Sequence, residues 1–332
     1  MSLTAPACGL QPVAKPAKPT AVPRSCLVRS LLAIGAMMGG VNAQATAIAI
    51  VLSDNFASYG EVFGTVASNL GGENNVVRLP ADQPGVAAAR ANAASLLITG
   101  GVRAAESVVG NFPRTPRIAA LVPRESYGRG GQGPLAASQG PASAVFLDQP
   151  FSCQRGFVRG LMPEASRIGV VLSAAQTSQR RELQAQAKRS DLTIVDAILG
   201  PNQSLVASLE KGLPASQELL ALPDPEVFNR RMAETIFITT YLHRVPMVGY
   251  SDSLTREGAL VSLYSSPAPL GQHVVQLAFR AISGSDVKLS PSQFPKFYAV
   301  SAKPHVARLL GVTLQDDASL LKDLHGGRVN RD

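Results

Sequence analysis

Tryptophan is absent from this chain, aromatic residues make up only 5% of its 332 positions, and cysteine occurs three times. Proteins that hold nucleic-acid bases by stacking need aromatic platforms, so this scarcity, with scattered basic residues, argues against that role. Charge is sparse as well, at 16%, yet the 45% hydrophobic share is that of an ordinary globular chain and excludes a disordered one. Runs long enough for a bilayer are also missing. The apolar stretch at 31–41 is too short for a permanent span, which excludes a polytopic membrane protein. The length favours two parts over one.

What is present begins with a leader. Lys15, Lys18, Arg24 and Arg29 are the only charged residues before position 46; the apolar stretch follows, then Ala43-Gln44-Ala45. A positive flank, a short apolar run and an A-x-A end make residues 1–45 a secretory signal peptide, cleaved after Ala45, and the product periplasmic. Cys26 precedes the apolar run, so no lipid-anchored cysteine is expected at the cleavage point. With those four basic residues and no acidic ones removed, net charge falls from +8 to +4, and no nucleic-acid or other polyanionic partner is indicated. Cys8 and Cys26 leave too. Cys153 remains as a lone thiol, unable to form an internal disulfide.

Beyond the leader, short apolar runs alternate with segments of helical spacing. Residues 46–52 read TAIAIVL, a strand covered on both faces. Phe56, Tyr59, Phe63, Val66 and Leu70 then recur at helical spacing. Strands are expected at 76–79, 96–99 and 117–122, with helices at 86–94 and 102–109 between them. After a Gly/Ser/Pro-rich segment at 128–140 comes a strand at 144–147, and the alternation restarts. Helices at 151–162, 178–187, 204–209 and 226–243 are interleaved with strands at 167–172, 192–198, 218–222 and 245–249. The chain finishes with a strand at 258–264, a helix at 270–282 and a strand–helix pair at 297–310. Repeated β-then-α units imply parallel sheets with right-handed crossovers, and two series imply two doubly wound lobes joined by a multi-strand hinge. The expected division is 46–143 plus 250–284 for lobe 1 and 144–249 plus 285–332 for lobe 2.

Gly128-Arg129-Gly130-Gly131-Gln132-Gly133 fits G-x-G-x-x-G, but Pro134 and a loop follow where a dinucleotide site needs a helix, so no cofactor is expected. His243, His273, His305 and His325 are far apart, and no H-E-x-x-H or paired C-x-x-C occurs; no metal is expected. G-x-S-x-G and a phosphate loop are missing, and nothing beside Cys153 lowers its pKa, so no enzyme is indicated. Open parallel sheets bind ligands at the carboxyl ends of their strands. The candidates there are Ser53, Asp54, Thr99 and Gly100 in the first lobe, with the turn Pro123-Arg124-Glu125-Ser126 after the strand at 117–122 and Tyr59 on the helix after Ser53. In the second they are Asp148, Gln149, Ser173, Asp224, Asn229, Tyr250 and Ser251. Each small polar residue among them can equally cap the next helix. Asp224 before Pro225 reads as an N-cap with proline at the first helical position.

The segments Pro223-Asp224-Pro225-Glu226-Val227-Phe228-Asn229 and Val245-Pro246-Met247-Val248-Gly249-Tyr250-Ser251, with Val145-Phe146-Leu147-Asp148-Gln149-Pro150 and Gly258-Ala259-Leu260-Val261-Ser262-Leu263-Tyr264-Ser265, resemble the ABC-transporter substrate-binding protein family. The similarity runs over about 46–314. It implies the type I periplasmic binding protein fold and a monomer that closes two lobes on a small-molecule solute and presents it to an ABC permease. Relatives in that family include aromatic amino-acid binders. By this reading, amides after Ser53 and Gly100 hold an anionic group, Asp148 or Asp224 pairs with an amine, and Phe56, Tyr59 or Tyr250 covers an apolar part. An extracytoplasmic ligand sensor of the same fold, without a transport role, is the other reading.

Overall fold

The computed structural model describes residues 46–314 except 73, 92, 129–132, 134, 137–138 and 284–286, together with a two-residue strand β1 (Gln11–Pro12). The cleavage point at Ala45 and nearly all of the expected leader lie outside the described residues, as does most of the G-x-G-x-x-G segment.

The first sheet is built from β2 (Ala47–Leu52), β3 (Asn75–Pro80), β4 (Leu96–Gly100), β5 (Arg117–Val122) and β6 (Ala142–Phe146). Between them run α1 (Ala57–Leu70), α2 (Gln83–Ala91), α3 (Val102–Asn111) and the short α4 (Arg124–Tyr127). The strand order is β3-β2-β4-β5-β6, and every adjacent pair is parallel. Leu96, Leu97 and Ile98 are all fully buried, as successive residues can be only when helices cover both faces.

The second sheet follows after α5 (Phe151–Leu161). Its strands are β7 (Arg167–Ser173), β8 (Thr193–Leu199), β9 (Glu218–Leu220), β10 (Met247–Gly249), β11 (Val261–Tyr264) and β12 (Phe297–Ala302). The helices are α6 (Thr177–Lys188), α7 (Leu205–Gly212), α8 (Arg230–Leu242), α9 (Asp252–Glu257), α10 (Pro267–Ile282) and α11 (Pro304–Leu310). The order is β1-β12-β11-β10-β9-β7-β8, parallel throughout except where β12 returns against β11. Two parallel-sheet α/β halves are therefore present.

The sheets divide the chain differently from the expected bounds. β6, assigned by sequence to the second lobe, pairs with β5 from Arg117–Ala142 onward and completes the first sheet. β11, assigned to the first, pairs with β10 through Val248–Val261. A strand joins the sheet whose edge offers it hydrogen bonds, and apolar runs alone do not say which edge is open. α10 does return to the first half, where Leu270, Val274 and Leu277 share one buried cluster with Phe63 and Val66 of α1. The chain thus crosses between halves at 147–150, at 265–266 and through 287–296. The third crossing is tied to the first sheet, because the Gln293 amide donates to the Ala144 carbonyl at 2.9 Å and the Phe146 amide donates to Gln293 at 3.0 Å.

Gly271 is where α10 approaches α1 most tightly. A Cβ there would sit 2.6 Å from the Val62 carbonyl oxygen and 2.9 Å from Thr65 Cβ. Gly271→Ala is expected to lower stability by about 1–3 kcal/mol through overpacking, read as a fall in melting temperature. An unchanged melting temperature would contradict this contact.

Candidate functional site

At the top of the first sheet, the Ser53 amide donates to the Gly100 carbonyl at 2.9 Å, and the Ser53 hydroxyl accepts the Ala104 amide of α3 at 2.8 Å. Gly101, at φ +83°, completes the turn; a Cβ there would collide with the Tyr59 hydroxyl and with Ser53. Ser53, Tyr59 and the Gly100-Gly101 turn are therefore brought together, with Ser53 capping α3. Burial pushes the Tyr59 phenol above its usual pKa, Asp54 adds to this and Arg103 opposes it. Asp54 accepts the amide of neighbouring Asn55 at 2.8 Å. Thr99 lies fully inside the sheet, and its hydroxyl has no partner among the described residues.

On the other side, Asp148 follows β6 and its Oδ2 accepts the Arg124 amide at 2.6 Å. Gln149 donates through Nε2 to the Ser265 hydroxyl at 2.7 Å, joining the first crossing to the second. The Ser173 amide donates to Asp224 Oδ2 at 2.8 Å, and Asp224 Oδ1 accepts the Glu226 amide at 3.0 Å, so this carboxylate ties the end of β7 to the turn after β9. Asp224 does not cap the long helix. That helix starts at Arg230 and not at Glu226, because Asn229 Oδ1 accepts the Arg231 and Met232 amides at 3.1 and 3.2 Å. Asn229 Nδ2 donates to the Pro225 and Glu226 carbonyls, so this amide is engaged in structure on both ends. Ser251 likewise caps α9 by accepting the Leu254 amide. The Tyr250 ring stands edge-on to Phe228 with centroids 5.8 Å apart. Burial raises its pKa most, followed by the charges of Asp148, Asp224 and Glu257, so the two buried aspartates are felt at one phenol.

Between the halves lies a cavity of ≈ 210 Å³. Arg124 reaches it from the first half, Asp148, Gln149 and Phe294 from the crossings, and Gln179 and Glu182 of α6 from the second half. Arg124 pairs with Glu182 Oε2 at 2.7 Å, and its guanidinium lies 5.6 Å from the centre of the Phe294 ring. A second tie across the halves joins the Ser178 hydroxyl to Glu125. Burial pushes the Asp148 carboxyl up to about 6, against the pull of the Arg124 amide and guanidinium. Arg124, in the turn after β5, was among the turns expected from the sequence, whereas Gln179, Glu182 and Phe294 were not. The α6 residues sit within a helix rather than in a turn after a strand, and only folding brings them to Arg124.

Cys153, expected as a lone thiol, is buried and disulfide-bonded. Among the described residues no group of three His, Cys, Asp or Glu is placed to hold a metal ion. No helix among them is long and apolar enough to cross a membrane.

No family model matches the chain, and no curated protein matches it either. Solved structures do. The ABC domain in complex with L-Trp from Streptococcus pneumoniae is 16% identical, with a TM-score of 0.63 over 84% of this chain and 98% of that one. A conserved domain protein from Vibrio cholerae is also 16% identical, with a TM-score of 0.59 over 84% and 98%. A substrate binding protein with adhesive properties from Clostridium difficile, in its ligand-free, open structure, is 13% identical, with a TM-score of 0.66 over 82% and 97%. With its two parallel-sheet halves, three crossings and a cavity between the halves, the chain has the type I periplasmic binding protein fold.

Proposed function

We propose that this protein is the extracytoplasmic solute-binding component of an ABC importer, a monomer that closes its halves on a small polar solute of amino-acid size and delivers it to a permease in the inner membrane. The carrying observation is the polar cavity between the halves, walled by Arg124 from one side and Gln179 and Glu182 from the other, with the buried Asp148 at the crossing. Ligand contacts made by both halves exist together only in the closed state, so the solute draws the equilibrium towards closure. The L-Trp complex among proteins of this fold supports a solute of amino-acid size. Export through an N-terminal leader supplies the extracytoplasmic location in this reading.

The test is a thermal-shift screen of amino acids, sugars and small organic acids. A solute that binds only the folded protein at a hundred times its Kd adds about 2.7 kcal/mol of stability. At least one compound is expected to raise the melting temperature in a concentration-dependent way. A screen in which none does would contradict the proposal.

A further inference from the structure

The hydrogen-bonding polarity of the cavity points to the charge of its solute, an inference that rests on the cavity being the solute site. The Ser265 hydroxyl donates its proton to the Phe297 carbonyl at 2.7 Å. Towards Gln149, also 2.7 Å away, Ser265 can therefore only accept, which fixes the amide with Nε2 on Ser265. Gln149 Oε1 is left as an acceptor in a side chain 3% exposed, and it has no partner among the described residues. Gln179, which lines the same cavity, has an Oε1 that is also buried and without one among the described residues. Asp148 stands beside Gln149, 6% exposed. An acceptor desolvated without a donor costs free energy, and a solute that brings the donor removes that cost.

The cavity offers little for an anion. Arg124 is the cationic side chain lining it among the described residues, and its guanidinium is already held by Glu182 at 2.7 Å. A solute carboxylate would face Asp148 and Glu182 with no uncommitted cation opposite. A neutral polyol could satisfy the amide oxygens but would add no positive charge, leaving Asp148 and Glu182 to share the Arg124 guanidinium. An ammonium or guanidinium group does both, and the Phe151 and Phe294 side chains offer apolar walls for a short hydrocarbon chain.

We propose that the solute is a small organic cation, a primary ammonium or guanidinium compound without a carboxylate, whose N–H groups are accepted by Gln149 Oε1 and the Asp148 carboxylate, with Gln179 Oε1 as a third acceptor. The full chain would be titrated calorimetrically with agmatine and butylammonium, and in parallel with L-arginine, L-norleucine, myo-inositol and succinate. At least one of the two cations is expected to bind at least tenfold tighter than its carboxylate-bearing counterpart. Gln149→Leu is expected to weaken it about tenfold, the loss of one hydrogen bond to a charged group, and Asp148→Asn, which keeps an acceptor for the Arg124 amide, to weaken it about 10–100-fold. Should the leucine variant not fold, Asp148→Asn decides alone, since undiminished binding there overturns the proposal. Failure of both cations to bind at millimolar concentration overturns it whatever else binds. If inositol, succinate or an amino acid binds instead and is weakened by Gln149→Leu, the cavity remains the solute site and only the cation assignment falls. Binding of any compound that no cavity substitution affects would remove the cavity reading itself.

Discussion

Replacing Glu218 by Gln is expected to flatten the pH dependence of stability between about pH 4.5 and 8, the largest single effect anticipated for this protein. Glu218 opens β9 with no exposed surface, and neither carboxylate oxygen has a hydrogen-bond partner among the described residues. Burial alone pushes its pKa from 4.5 to about 8. The folded state therefore holds a proton that the unfolded chain releases over that window. The associated stability is fully present below pH 4.5 and is lost as pH rises through 8. The shift corresponds to roughly 4–5 kcal/mol, a large part of the total for a domain. Glu218→Gln keeps the shape and removes the titration. Parent and variant should converge in acid and diverge by several kcal/mol near pH 9, with the variant more stable. Denaturant unfolding at a series of pH values measures this, and equal slopes in the two proteins would refute it.

The second large effect concerns Asp148. Asp148→Asn is expected to weaken solute binding about 10–100-fold, the range for a hydrogen bond to a charged group, while the protein stays folded. Its carboxyl is pushed up to about 6 by burial; Arg124 lowers it and Glu125 raises it, and Tyr250 is the phenol that feels its charge. A solute that needs the ionised carboxylate binds with an affinity that falls as pH drops below about 6, approaching tenfold per unit. The asparagine variant should lose that slope. The sign for stability is the same as for Glu218, because ionising a buried carboxyl opposes folding as pH rises through 6. Undiminished affinity in Asp148→Asn, or an unchanged pH slope, would take Asp148 out of the site.

Much of the framework was legible because burial on both faces writes itself into the sequence. The run at 117–122 is β5 to the residue, and those at 46–52 and 167–172 differ from β2 and β7 by one residue. What escaped was decided by competition between partners far apart in the chain. Asp224-Pro225 has the form of a helix start, but the Asp224 carboxylate is drawn to the Ser173 amide 51 positions away, and Asn229 takes over the cap. The run at 258–264 read as one strand, although only its end from Val261 pairs, after the unexpected helix α9. The reversal of β12 was illegible because strand direction depends on which side of the hinge the chain returns from. Of the residues lining the cavity, Arg124, Asp148 and Gln149 could be named because they follow strands. The pairing of Arg124 with Glu182, 58 positions apart, and the orientation of Gln149 by Ser265 at a separation of 116, are products of the fold.

Closure of the two halves on a solute held between them is tested most directly by distance measurements between the halves. Spin labels on Asn69 of α1 and Gln184 of α6, both on exposed positions, would report the separation with and without the solute found by thermal shift. A broad distribution that collapses to one shorter distance on saturation, and does so far less readily in Asp148→Asn, is the predicted result. A solute that binds tightly while leaving the distance distribution unchanged, with or without the Asp148 carboxylate, would contradict the account.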